Sequence, residues 1–148
     1  MIRIMNRTNT TYYDGVEEIV NHNLQVVIKQ LKELNSKTPF KFNYTSAPTE
    51  STLHHIELMV IRTDITVEIL PWWPFNRWTK AIGMTTGGNK ININMRKIRS
   101  LSKYELADNV VHETMHLLGY GHGSNKFTPE KVYSAPYGLG YMVEGRMK

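Results

Sequence analysis

Cysteine is missing from this chain altogether. Its absence excludes a disulfide framework, thiolate metal ligands, a thiol nucleophile and any latency mechanism built on a cysteine. It agrees with a reducing compartment. Also missing is any apolar run long enough to cross a bilayer. The opening Met1-Ile2-Arg3-Ile4 lacks the apolar core of a signal peptide. The expectation is a cytoplasmic chain made without an export signal or pro-segment. Blocks of like charge are absent too. The formal charge of +5 is spread singly along the sequence, so nucleic-acid binding is not indicated, and a mildly basic surface is the default.

What remains is enough for one folded domain. The chain has 148 residues, 41% of them hydrophobic and 21% charged, which suffices to bury a real core. No repeat, linker or low-complexity tract divides it, and a monomer is the expectation.

Apolar patterning predicts the elements. Ile2 to Met5 alternates as a first strand. Asp14 is a plausible N-cap for a helix to about Leu34, because Val16, Val20, Leu24, Val27, Leu31 and Leu34 step by fours and threes along one face. Phe40 to Tyr44 alternates as a strand, and His55 to Ile61 reads as another. Ala81–Thr85 and Lys90–Met95 flank a Gly-Gly turn and predict a hairpin. Ser102-Lys103-Tyr104-Glu105 is a capping box opening a helix that stops at Gly119. Beyond His122 the prolines and glycines read as loop.

Pro71 to Trp78 holds all three tryptophans and two prolines, so it suits neither a helix nor a central strand. Trp72 and Trp73 either line a cleft or tie a long loop down with their own side chains. Both readings stay open.

The run Val111-His112-Glu113-Thr114-Met115-His116-Leu117-Leu118-Gly119-Tyr120-Gly121-His122 holds three of the six histidines. On a helix, His112 and His116 lie one turn apart on the same face and reach one ion. Glu113 is rotated about 100° from His112 around the axis. That puts it beside a metal rather than on it, as suits a base acting on metal-bound water. Gly119 lets the chain turn so that His122 returns as a third ligand. Three protein ligands leave one position open, the mark of a catalytic zinc site. The five residues His112 to His116 alone are as well explained by an ordinary amphipathic helix with exposed histidines. The whole pattern, with glycine and third histidine in register, arises by chance in fewer than about one in ten thousand chains of this size.

His112-Glu113-Thr114-Met115-His116-Leu117-Leu118-Gly119-Tyr120-Gly121-His122 resembles the HExxHxxGxxH signature of the metzincin zinc metallopeptidases. The resemblance implies one catalytic zinc ion held by His112, His116 and His122, with Glu113 as general base in hydrolysis of peptide or protein substrates. It implies an α+β fold: a twisted mixed sheet, a backing helix, an active-site helix and a small irregular C-terminal subdomain. The single domain then spans 1–148, with an N-terminal part to about 119 and a C-terminal part over 120–148. An edge strand bordering the cleft falls over Lys80 to Thr86, with Gly83, Met84 and Thr85 as candidate substrate-cleft residues. Met142 is the candidate for the methionine turn beneath the metal, although no serine stands two residues before it and no tyrosine two after it. Gly123 also departs from the residue the best-known branches carry after the third histidine.

Among nearby tyrosines, Tyr137 and Tyr141 are candidate oxyanion stabilisers. Glu105 and Asp108 share the histidine face, where they either orient an imidazole or complement the helix N-terminus. Glu130 and Glu144 are alternative third ligands, but both fall in segments that read as loop. His54, His55 and His22 read as ordinary surface or strand-end residues. The rival function is a zinc-containing peptide- or protein-binding module without turnover.

Overall fold

The computed structural model describes residues 1–71, 83–85, 88–123 and 133–145. It is a mixed α+β fold. Strands β1 (Ile2–Asn6), β2 (Ile65–Leu70), β3 (Gly83–Thr85) and β4 (Lys90–Asn94) form one sheet in the order β1-β2-β4-β3. The pairs β1–β2 and β2–β4 are parallel; β3 returns antiparallel to β4 at the end of the order. Ile2, Ile65, Val67, Ile69, Ile91 and Ile93 alternate along their strands, come into register on one face and are fully buried.

Helices α1 (Val16–Lys37) and α2 (Thr49–Arg62) make the connection that the parallel β1–β2 pair requires. A short α3 (Met95–Ile98) follows β4, and α4 (Lys103–Leu117) and α5 (Ala135–Glu144) complete the described helices. Helix α4 packs against α1, α5 and β3. Ala135, Leu139 and Val143 of α5 join the same buried core as Leu24 of α1 and Val111 of α4. Among the described residues no helix is long and apolar enough to cross a membrane.

Several expected elements take this form and others do not. The hairpin forms, and so does the capping box: Ser102 accepts from Glu105 N at 3.1 Å, and Glu105 Oε1 accepts from Ser102 N at 3.1 Å. Removing that hydroxyl with Ser102→Ala is expected to cost ~1 kcal/mol. In a domain of this size that lowers the melting temperature by about 2–4 °C, readable in a thermal melt.

Helix α1 begins at Gly15, whose φ of 90° supplies the turn, and not at an Asp14 cap. Its stripe is buried from Val16 to Leu31, but Leu34 is half exposed. The expected strand over His55–Ile61 is instead part of α2, with Thr49, Thr52, Leu53, Ile56 and Val60 buried at helical spacing. Phe40 to Tyr44 forms no strand: among the described residues it makes one bridge, Asn43 to Ser134, and Tyr44 turns away at φ 61°. The strand β2 had no counterpart in the expectations.

The largest correction lies at the C-terminal end. Residues 135–144 are helical, not irregular: Ser134 caps α5, Pro136 sits in its first turn, and Gly145 ends it at φ 95°. Met142 therefore lies on a helix, partly buried against the core, and not in a tight turn.

Candidate metal centre

Helix α4 carries His112 and His116 on adjacent turns, and Gly119, at φ 100°, breaks the helix so that the chain can fold back. Tyr120 N donates to Met115 O at 3.0 Å, which fixes the start of the return. His122 then meets the other two. Each of the three histidines offers one nitrogen, and all these nitrogens lie within 4.8 Å of one another. Ring centroids are 4.8 Å apart for His112–His116 and His116–His122, and 5.1 Å for His112–His122.

Backbone carbonyls set the tautomers of two of them. His116 Nδ1 lies 3.0 Å from Tyr120 O, and His122 Nδ1 lies 2.9 Å from Gly123 O. A carbonyl can only accept, so each Nδ1 carries its proton and donates. In the neutral ring this leaves a lone pair on Nε2. Such bonds from the far nitrogen to a carbonyl are the usual support of metal-ligating histidines. Burial and then the adjacent His122 hold the His116 pKa below the usual imidazole value, partly opposed by the bond to Tyr120 O. The neutral, ligating form is favoured.

The nitrogens His112 Nε2 and His116 Nε2 are 3.1 Å apart. Two nitrogens bound to one tetrahedral zinc at 2.0–2.1 Å would be separated by about 3.3 Å. The pair already has close to that spacing.

Glu113 is half-buried beside this cluster, and desolvation raises its pKa to about 7. A cation held by the neighbouring imidazoles favours the carboxylate form and opposes that rise.

Tyr137, delivered by α5, lies against His112 with centroids 4.4 Å apart and against His122 at 4.7 Å. Tyr141 is buried, with its ring centroid 5.8 Å from that of Tyr137. Tyr120 is engaged elsewhere: its hydroxyl and His55 Nδ1 share a hydrogen bond of 2.5 Å. The contact departs from the sequence expectation, which puts His55 on a strand and not on α2. The approach of Tyr120 to α2 is a tertiary fact with no local signal.

Of the remaining candidates, Glu105 is used in the capping box. Asp108 is buried at the α4–α5 contact, where its carboxylate meets Gly140. Glu144 is the last residue of α5, and the cluster with metal-ligand spacing among the described residues comprises the three histidines alone. Backbone Gly83–Thr85 forms the last strand of the sheet, beside α4. Trp72, Trp73 and Glu130 lie outside the described residues.

The chain matches no protein-family model, no curated protein and no solved structure.

Proposed function

We propose that this chain is a zinc metallopeptidase in which His112, His116 and His122 hold one ion and Glu113 is the general base. One observation carries the reading: three imidazoles converge with their donor nitrogens within 4.8 Å, two of them oriented by backbone carbonyls. The donor set fits the ion. It is all nitrogen, it favours neutral rings, and it supplies the three protein ligands typical of catalytic zinc. When bound, the ion supplies Lewis acidity, which makes water a better nucleophile near neutral pH and polarises a carbonyl.

The chain's own residues do the rest. Glu113 follows the first ligand and flanks the histidine face, so its carboxylate takes the proton of the attacking water. It then returns that proton to the leaving amine. Tyr137, whose ring lies against His112 and His122, donates its hydroxyl proton in a hydrogen bond to the carbonyl oxygen as negative charge develops there. Strand β3, at the edge of the sheet beside α4, receives an extended peptide by backbone pairing.

The test is a zinc titration of chelator-stripped protein against a chromophoric competitor, with a peptide library assayed before and after loading. One equivalent should bind and restore cleavage. At a zinc concentration a hundredfold above Kd, about 2.7 kcal/mol of stability is added, a rise in melting temperature of roughly 5–10 °C. His122→Ala should lose most of that rise. A stripped wild type that takes up no zinc would overturn the reading. One that binds zinc but cuts nothing would favour the binding module instead.

A further inference from the structure

His112 and His116 are held by a regular helix, but His122 stands on irregular backbone past its end. What orients the third ligand must come from its neighbours. Tyr120 anchors the near side, through Met115 O and His116 Nδ1. The far side is met by Tyr44.

Tyr44 is the one non-glycine residue with positive φ among the described residues, at 61°. A bulky side chain pays a steric cost there and persists only where its surroundings hold it. Burial does not explain this one, since the residue is 51% exposed. Just before it, Asn43 N donates to Tyr133 O at 3.2 Å and Asn43 bridges Ser134, which pins the segment to the entry of α5. From that turn the phenol lies directly on Gly123. A Cβ at position 123 would be 2.5 Å from the Tyr44 hydroxyl oxygen and 2.9 Å from Cζ, so this approach requires glycine. The carbonyl of Gly123 is the acceptor for His122 Nδ1.

We infer that Tyr44 is a positioning residue for the third metal ligand: its ring packs on Gly123 and fixes the carbonyl that orients His122. This rests on the metal-site reading above. It also gives a reason for the strained backbone at position 44 and for a glycine where the best-known relatives of the motif carry a side chain.

The experiment compares Tyr44→Gly, Tyr44→Phe and Gly123→Ala, reading zinc affinity by chelator competition and the melting temperature of the metal-free protein. Glycine accepts a φ of 61° without strain. Metal-free Tyr44→Gly should therefore melt no lower than wild type, while its zinc affinity falls roughly ten- to a hundredfold, as loss of a ligand-orienting partner does. Tyr44→Phe keeps the ring and should bind zinc as wild type does. Gly123→Ala pushes the ring aside and should weaken binding alone, yet change nothing further when added to Tyr44→Gly. Undiminished zinc affinity in Tyr44→Gly, or additive effects of the two substitutions, would overturn the inference. A wild type that binds no zinc would remove the metal-site reading itself, and this inference with it.

Discussion

The Glu113→Gln variant is expected to hold zinc as tightly as wild type while hydrolysing peptides about a hundred- to ten-thousandfold more slowly. Glutamine keeps the shape and length of the side chain but accepts no proton at neutral pH. It stands next to His112 without belonging to the cluster of donor nitrogens, so the ligands remain in place. The carboxylate is half-buried and desolvated, which suits a group that exchanges a proton near neutral pH. Paired measurement is what decides. Steady-state cleavage and chelator competition are run on the same preparation. A variant that cuts as fast as wild type removes Glu113 from the mechanism. One that loses zinc as well shows instead that Glu113 supports the site's structure.

The histidine cluster was legible in the sequence because every signal for it is local. His112 and His116 are four apart, Glu105 closes a capping box three residues after Ser102, and Gly119 takes the left-handed turn that only a glycine adopts without strain. No long-range contact is needed to place those residues on one face. The hairpin was legible for the same reason.

Errors arose where a short apolar run fits two periods. His55-Ile56-Glu57-Leu58-Met59-Val60-Ile61 is apolar enough for a strand, and only a window reaching back to Thr49 exposes the helical spacing of Thr49, Thr52, Leu53, Ile56 and Val60. The strand beside β1 is instead Ile65–Leu70, whose buried residues alternate. Phe40 and Phe42 do alternate inward, with rings 5.4 Å apart, but among the described residues the segment's one bridge is Asn43 to Ser134. In α5 the glycines masked a helix. Pro136 and Gly145 stand where proline and glycine are favoured, at its first turn and its cap. Gly138 and Gly140 suit a loop by composition, yet both lie within α5, and Gly140 admits the close contact with Asp108. Tyr44 meets Gly123, and His55 meets Tyr120, only through tertiary packing, and no sequence spacing announces either.

Gly140→Ala is expected to be the most destabilising single-methyl change among these positions. A Cβ at 140 would lie 2.1 Å from Asp108 Oδ1 and 3.0 Å from the Asp108 carbonyl oxygen. Asp108 is buried, so its carboxylate has little room to rotate away, and the carbonyl belongs to the α4 backbone and cannot move alone. Alanine in place of a mid-helix glycine gains about 0.5–1 kcal/mol in helix propensity. Overpacking costs typically ~1–3 kcal/mol and more where backbone must shift, so the clash outweighs the gain. A net loss of about 2 kcal/mol would lower the melting temperature by roughly 4–8 °C. Because α5 also carries Tyr137 against His112 and His122, separating the helices should slow peptide cleavage even below the melting range. Gly121→Ala is the control, since its Cβ would meet nothing within 4 Å. Its melting temperature should stay within about a degree or two of wild type, as expected for an unstrained surface change. Equal melting of the Gly140 and Gly121 variants would mean that the α4–α5 contact yields freely and that α5 does not hold Tyr137 in a fixed position.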